Sequence, residues 1–379
     1  MSSIIKVDTI QDQAGNNIIS ESSDTITIGA SGDTVNVVGT LQNNGSAVEV
    51  DSVTFKEGGT NFTNSLLVGT SSTGTLDAAQ NNTGVGLGVF AALTSGDGNT
   101  AVGTNSLDTN TTGANNVAVG FNSMGSNTTG SDNTSTGVES LVSATTGASN
   151  AAFGRQAMCK TTTGASNTAA GAFALCANTT GACNVAVGKD SLKENTTANN
   201  NTAVGLCALT VNTTGAENTS VGRKSLVANT TGVCNVAVGV NALFSNTTGA
   251  NNVAFGVSAL ETNSTADNNT AVGFEALKDN TTGTVNTAMG RQALQNNTTA
   301  DGNTAYGHNT LNATTASGCN TAVGGSALFN NTADNNTAVG HSALVANTTG
   351  AGNTAVGVCA LVSNTTASEN TAVGIFAGN

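Results

Sequence analysis

The sequence contains no proline and no tryptophan, and only 9% of its 379 residues are charged and 3% aromatic. Disordered chains usually carry many charges and few β-branched residues, whereas Val, Ile and Leu recur here at fixed places. Proline cannot donate a backbone hydrogen bond, so its absence suits a chain whose N–H groups are all needed for strand pairing. The composition therefore argues against disorder and against an ordinary globular domain.

Basic residues are also scarce, with 10 Lys and Arg against 23 Asp and Glu, a net charge of −13. They occur singly apart from the pair Arg223-Lys224. Binding to nucleic-acid phosphates requires a basic patch, so nucleic acid is excluded as a partner. A net charge this far from zero favours solubility.

Long apolar runs are missing as well. No stretch approaches the ~20 apolar residues that a membrane-spanning helix requires, which predicts no membrane insertion. The first six residues, Met1 to Lys6, lack the apolar core of a signal peptide. We therefore expect synthesis in a cytoplasm without export by the usual route.

A 17-residue repeat fills most of the chain, with the consensus N-T-A-V-G-x-x-A-L-x-x-N-T-T-G-A-x. Its first glycine, here called the anchor glycine, recurs nineteen times, always at the full repeat spacing except for one interval that is a single residue shorter. The anchor glycines are Gly69, Gly86, Gly103, Gly120, Gly137, Gly154, Gly171, Gly188, Gly205, Gly222, Gly239, Gly256, Gly273, Gly290, Gly307, Gly324, Gly340, Gly357 and Gly374. Positions are numbered below from the anchor glycine, so that position −4 lies four residues before it.

The single short interval, between Gly324 and Gly340, distinguishes framework from turn. Its deletion falls in the N-T-T-G segment, which reads 331–334 here, and leaves the apolar columns in place. Loops tolerate deletions better than strands do. N-T-T-G is therefore predicted to be a turn, and T-A-V-G-x-x-A-L the framework.

Three further columns accompany the glycines. Position −4 is Asn in all 18 repeats from Gly86 onward, position −2 is Ala or Ser from residue 101 onward, and position +4 is Leu, Met or Phe from residue 90 to residue 361. Stacked Asn side chains predict an amide ladder, meaning a row of side chains hydrogen-bonded from coil to coil. The proposed structural ladder residues are Asn99, Asn116, Asn133, Asn218, Gly103, Gly120, Gly222, Leu107, Leu209, Leu226, Leu243, Ala118 and Ala237.

The T-A-V segment alternates with a strand period, which places Thr and Val on one face and Ala on the other. Identical columns repeated this often indicate coils stacked in register, a parallel β-solenoid about 85–90 Å long. Leu and Val are expected to fill its core. The unbroken small column at −2 must face something large, either the opposite side of the same coil or a neighbouring chain, and we expect a homotrimer.

Residues 1–60 do not follow the repeat and are expected to form a small β segment that attaches to a virion. Runs at 4–7, 25–28 and 34–38 predict short strands separated by tight turns. Residues 61–85 are expected to be a transition with degenerate first coils, and residues 86–379 the repeat shaft.

The unit N-T-A-V-G-x-x-A-L resembles the N-S-V-A-I-G-x-x-S repeat of YadA-like trimeric adhesin heads over residues 65–379. That resemblance implies a left-handed parallel β-roll that associates as a trimer. The repeat here is longer than that family's usual unit, and the family's export signal and membrane anchor have no counterpart, so a secreted autotransporter is not expected.

The run from Ile4 to Ile19 and its continuation from Ser23 to Val35 resemble the start of tail-fibre and other structural proteins of marine bacteriophages. This resemblance implies attachment to a phage tail or capsid protein through the N-terminal segment. It also implies location in the virion after assembly in the host cytoplasm, with host attachment and a host-surface glycan as a further partner.

No catalytic residue, cofactor site or metal site is predicted. His308 and His341 share position +1 two coils apart, roughly 9–10 Å, which is too far to share a metal within one chain. Trimeric left-handed β-helix acyltransferases use a catalytic His, but their hexapeptide repeat would give a period of 18. An enzyme is therefore not expected.

The seven cysteines show no metal-ligand spacing and are read as small buried or half-buried hydrophobic residues. Cys159 and Cys176 share position +5 on adjacent coils, within disulfide range. In a reducing cytoplasm both are still expected to be free thiols.

The function that fits best is a structural tail-fibre protein of a bacteriophage virion. Two alternatives stay open. Thr111-Thr112 and their equivalents are expected to form outward threonine rows, which would suit an ice-binding solenoid that causes thermal hysteresis. The second alternative is a bacterial surface adhesin or matrix protein. Capsid and tail genes next to the gene for this chain would exclude it. No receptor-binding residue is predicted.

Overall fold

The computed structural model describes residues 61–69 and 73–379, together with the backbone of five strands closer to the N-terminus. The predicted strands at 4–7 and 34–38 lie outside the described residues. The chain divides into two compact units, Met1–Ser46 and Ala47–Asn379. Among the described residues there is no helix, and the protein is an all-β parallel β-solenoid of 17-residue coils.

In its described part, the first unit contains three strands, β1 (Thr9–Gln11), β2 (Asn17–Ser22) and β3 (Thr25–Ile28). They form an antiparallel meander in which β2 pairs with both β1 and β3. The strand predicted at 25–28 is confirmed as β3.

Among the described residues, the second unit begins with six short strands, and its regular part then contributes one strand per coil. The early strands are β4 (Val48–Val50), β5 (Val53–Glu57), β6 (Phe62–Thr63), β7 (Leu66–Val68), β8 (Ala79–Gln80) and β9 (Thr83–Val85). The regular strands are β10 (Thr100–Val102), β11 (Val117–Val119), β12 (Thr134–Thr136), β13 (Ala151–Phe153), β14 (Thr168–Ala170), β15 (Val185–Val187), β16 (Thr202–Val204), β17 (Thr219–Val221), β18 (Val236–Val238), β19 (Val253–Phe255), β20 (Thr270–Val272), β21 (Thr287–Met289), β22 (Thr304–Tyr306), β23 (Thr321–Val323), β24 (Thr337–Val339), β25 (Thr354–Val356) and β26 (Thr371–Val373).

Each regular strand pairs in parallel with the equivalent strand of the next coil. Ala101 lies opposite Ala118, for example, which is one full repeat later in the chain. At the short interval the register is kept, because Ala322 lies opposite Ala338 although the path between them is one residue shorter than in the other coils. The predicted in-register stacking is thereby confirmed, with the deletion absorbed outside the strand.

The strand ladder extends toward the N-terminus beyond the region with clear repeats. β7 pairs in parallel with β9, and β5 then pairs antiparallel with β7. β4 pairs antiparallel with β5, which makes a hairpin at this end. An antiparallel hairpin covers the strand edge of the first coil, and such edges otherwise recruit other strands.

The core is narrower than the sequence suggested. Position −2 and position +4 are fully buried, as at Ala118, Ala237, Leu107 and Leu226. The valines at position −1 point outward instead, and Val102 is 38% exposed. The expectation that Val lines the core is therefore wrong, because alternation turns the small residue at −2 inward and the residue at −1, usually Val, outward.

The small column at −2 does not require a neighbouring chain. Its alanines are fully buried within one chain, in the same core cluster as the leucines at +4. Ala inward and Leu opposite fill the narrow interior of each coil. The Ala column consequently carries no information about oligomerisation.

The anchor glycines are required by two constraints. Gly103 has φ 125°, a conformation that side-chain-bearing residues rarely adopt. A Cβ atom placed on Gly103 would also lie 2.6 Å from the carbonyl oxygen of Gly120 in the next coil. Because the backbones stack this closely, any other residue in the column would push adjacent coils apart.

Left-handed backbone also occurs at residues with side chains, at positions −5, +2 and +4. Leu107 and Leu226 have φ 51° and 49°. A left-handed residue costs about 1–2 kcal/mol, whereas burying a leucine side chain yields about 1.5–3 kcal/mol. Burial thus outweighs the strain at +4, which explains why bulky residues persist there.

At position −5 burial offers no such compensation, and one residue is poorly suited to it. Val285 has φ 58° and is 60% exposed, while the neighbouring coils have Asn268 and Gly302 there. Asn tolerates left-handed backbone and a β-branched residue does not. We expect Val285→Asn to stabilise the protein by about 1 kcal/mol, measured as a rise in the urea midpoint.

Val285→Ile is the matched control, since it keeps the β-branched strain and should leave the midpoint unchanged. Equal midpoints for the Asn and Ile variants would show that position −5 stores no strain.

Candidate functional surface and the ladders that support it

Buried asparagines at position −4 join the coils through their side chains. Asn99 donates from Nδ2 to Asn82 Oδ1 at 3.1 Å and to the Gly113 carbonyl at 2.9 Å. Its own Oδ1 accepts from the backbone N–H of Asn116 at 3.0 Å. Asn133 repeats this pattern on Asn116. The amide therefore links strand, turn and neighbouring coil in one network.

Further along the solenoid the position −4 pattern is retained. Asn218 is fully buried, and its backbone N–H donates to Asn201 Oδ1 at 2.9 Å. Its Nδ2 donates to the Gly232 carbonyl at 2.8 Å. The other columns are retained in the same way, since Gly120 and Gly222 keep φ 137° and 136°, and Leu209 and Leu243 are fully buried.

A second asparagine ladder lies at position +7, in the N-T-T segment, which the repeat pattern predicts only to be a turn. Asn127 Nδ2 donates to Asn110 Oδ1 at 2.8 Å and to the Gly130 carbonyl at 3.0 Å. Both side chains are fully buried. The repeated Asn was visible in the sequence, but its inward direction was not.

The second ladder is interrupted where the repeat deviates. Position +7 is Ala144 instead of Asn in the coil after Asn127, and the buried Asn127 Oδ1 finds no hydrogen-bond donor among the described residues. The same happens to Asn297 Oδ1, which is followed by Thr314. A buried acceptor without a donor costs about 1–3 kcal/mol.

Restoring the missing amide should therefore stabilise the solenoid. We expect Ala144→Asn to donate to Asn127 Oδ1 and to raise stability by about 1 kcal/mol, seen as a higher thermal midpoint. Ala254→Asn is the control, because Ala254 is equally buried but lies between Ala237 and Ala271 in the apolar column at −2. That variant should be destabilised, and a gain in both or in neither would contradict the role of the orphaned acceptor.

The threonines of N-T-T are not two equivalent outward rows. Thr111 Oγ1 donates to the Thr128 carbonyl at 2.9 Å, so the first hydroxyl is bonded to the next coil. Thr112 is exposed, and its equivalents form a single outward row. The expectation of paired outward threonines is corrected accordingly.

An apolar stripe runs along the outward face of the strands. It consists of position −1, together with position +1 wherever that residue is apolar, on the coils from Gly86 to Gly374. Within it Phe255 is 56% and Phe274 44% exposed. Its most exposed hydrophobic members are Val85, Leu87, Val102, Phe121, Val138, Phe153, Val187, Leu206, Phe255, Val257, Phe274, Tyr306, Val323, Val339, Val356, Val358, Val373 and Ile375. Soluble monomers rarely expose continuous apolar patches of this extent.

Carboxylates are absent from this face. Among the 23 acidic residues of the chain, none occupies position −3, −1 or +1 on the coils from Gly86 to Gly374. Each column takes up two residues of the strand, so columns −1 and +1 together span about 13 Å, and 18 coils span about 85 Å, giving on the order of 1,000 Å². This band is free of acidic side chains, runs without a charged residue along position −1, and is interrupted at position +1 by Arg, Lys and His residues.

The cysteines differ from expectation in two respects. Cys159 and Cys176 form a disulfide between adjacent coils, with Cα atoms 4.9 Å apart, where free thiols were expected. The stacked columns bring them within bonding range. The other five cysteines are free thiols. Three of them are exposed, so the prediction that the cysteines are buried or half-buried is wrong for those three. The exposed free cysteines are Cys183, Cys234 and Cys319.

Two side chains have perturbed electrostatics. Burial raises the pKa of the Asp108 carboxyl, and its Oδ1 finds no donor among the described residues. A hydrogen bond of 3.4 Å to the Glu217 carboxylate raises the pKa of the Cys234 thiol.

The two histidines are exposed and lie apart. His308 Nε2 is 3.0 Å from Arg291 Nη1, so the imidazole accepts from the guanidinium. His341 Nδ1 is 3.1 Å from Ser342 Oγ. In the described part of the chain, no three His, Cys, Asp or Glu side chains cluster as metal ligands would.

A shallow depression beside the short coil is lined by Thr299, Asp301, Cys319 and Asp334. Its carboxylates already bond backbone N–H groups, since Asp301 accepts from Thr284 and Asp334 from Gly318. The depression is therefore part of the turn structure.

Within the described residues, no helix is long and apolar enough to cross a membrane.

Comparison with known proteins gives no match to any protein-family model, curated protein or solved structure.

Proposed function

We propose that the chain is a structural fibre protein of a bacteriophage virion, a tail fibre, and that it works as a homotrimer. The observation that carries the oligomer is the apolar stripe, because an exposed band on the order of 1,000 Å² is comparable with what each partner buries in a stable interface. The number three rests on the resemblance to trimeric adhesin heads.

The rod itself suits a fibre. Stacked coils about 85–90 Å long provide reach, and two buried asparagine ladders tie each coil to the next along the axis. Load along the rod would be borne by backbone and amide hydrogen bonds together. The N-terminal segment attaches the fibre to a tail or capsid protein, a role that rests on its resemblance to phage fibre proteins. The solenoid then extends from the particle and contacts host-surface glycans.

This function is tested on virions released by the bacterial culture that carries the gene. Antibodies against the solenoid should label projections from purified particles in negative-stain electron microscopy. Mass spectrometry of those particles should give copy numbers in multiples of three. Particles that lack the chain, in a culture that expresses it, would contradict the proposal.

The ice-binding alternative is favoured by one observation, the outward threonines at position −3, which occur on 13 of the 18 coils from Gly86 onward. An ice plane requires a flat face, however, and Phe153, Phe255 and Tyr306 project from the adjacent column. Measuring thermal hysteresis decides between the two, with none expected for a fibre.

A further inference from the structure

Charged residues on the solenoid are sorted by column. Position +1, at one edge of the strand face, carries only basic residues where it is charged or titratable. These are Arg155, Lys189, Arg223, Arg291, His308 and His341. The turn at positions −6 and −5, at the other edge, carries only acids where it is charged, from residue 97 onward. These are Asp97, Asp132, Glu217, Asp267, Asp301, Asp334 and Glu369.

Both edges are available to a partner. All six basic-edge residues are exposed, and none of the three arginines takes part in a salt bridge among the described residues. Arg155 and Arg291 instead lie over Phe173 and Phe274. On the acidic edge, each of the carboxylates of Asp267 and Asp301 uses one oxygen, Oδ1, for a turn hydrogen bond.

The two edges bound the outward face, because in chain order the acidic turn precedes the strand, and the basic residues at position +1 lie in the last column of that face. One chain therefore presents opposite charges at the two sides of its apolar stripe. Three coils carry both members of a pair, namely Glu217 with Arg223, Asp301 with His308, and Asp334 with His341. Chains aligned in parallel at the same height would bring these partners together.

We propose that the chains associate in a parallel, in-register, cyclic arrangement in which the basic edge of each chain meets the acidic edge of the next. This inference rests on the proposed trimer and specifies its geometry. Two different edges in contact make a heterologous interface, which closes into a ring when the rotation is right. In such a ring the basic edge of each chain contacts one neighbour and its acidic edge contacts the other neighbour. The apolar stripes of all chains then face one another at the centre of the ring.

Charge reversal at one matched coil tests the arrangement. Arg223→Glu places Glu opposite the neighbour's Glu217, and Glu217→Arg places Arg opposite Arg223. Each single variant should raise the trimer dissociation constant about tenfold at low salt. The double variant Arg223→Glu/Glu217→Arg should return it to the parent value, and the effect should shrink as salt rises.

Lys224→Glu is the control, since it makes the same charge change one residue away, off the basic edge, and should leave the dissociation constant within about twofold. If the parent is trimeric and the double variant is no better than the single variants, the in-register arrangement is wrong and the trimer stands. If the parent is monomeric, both the arrangement and the trimer fail.

Discussion

Leu226→Asp should unfold the middle of the solenoid, lowering stability by more than about 4 kcal/mol. Leu226 is fully buried in the core column, and the backbone N–H of Leu226 donates to the Ala242 carbonyl of the next coil. A carboxylate there would be enclosed by apolar side chains without a partner. Circular dichroism against urea, together with limited proteolysis near residue 226, measures the loss.

Thr231→Asp is the matched control on the same coil, because Thr231 is exposed at position +9. It should unfold at the parent's urea concentration. A Leu226→Asp variant that assembles and melts like the parent would contradict the assignment of the core.

Phe255→Asp/Phe274→Asp should convert the oligomer into folded monomers. The two rings lie on adjacent coils in the apolar stripe, and both are about half exposed in a single chain. Replacing them therefore removes little from the fold of one chain, but it puts two carboxylates per chain into the proposed interface. Native mass should fall to that of one chain while the circular dichroism spectrum stays unchanged.

Thr265→Asp/Thr282→Asp is the control for added charge. These residues occupy the exposed position +9 on the same two coils, so the oligomer should persist. Dissociation in both double variants would point to general charge repulsion, and dissociation in neither would remove the stripe from the interface.

The repeat alone was enough to predict the architecture, because a constant period with constant columns has few physical solutions. The short interval at Gly324–Gly340 even separated turn from framework, and the register of Ala322 with Ala338 agrees with that division. Which face is inward could not be read from alternation. A period of two places Ala118 and Val119 on opposite faces of the strand. It does not indicate which face is buried when the core is so narrow that a single leucine per coil fills it.

Backbone conformation was a second limit. The left-handed leucines at position +4, such as Leu107, have no local sequence signal, since leucine normally avoids that region. Only the stacked context, in which burial exceeds the strain, makes them acceptable. The backbone N–H of Asn110 donates to the carbonyl of Leu107 at 3.3 Å, so the second ladder follows directly on this turn and could not be deduced before the path of the coil was known.

The exposed apolar stripe could not be predicted from the sequence either. A valine column at −1 is typical of a core, and only the structure shows that Ala at −2 and Leu at +4 already fill the interior. Once Ala at −2 is placed inside, the Val column and the hydrophobic residues at +1 become surface. The oligomer hypothesis thereby moves from the Ala column to the opposite face of the same strands.

Native mass by multi-angle light scattering, on unheated protein, tests the central claim most directly. The account predicts a mass three times the 36.9 kDa of one chain. A mass near 36.9 kDa at micromolar concentration would leave the apolar stripe exposed to water and would contradict the trimeric fibre.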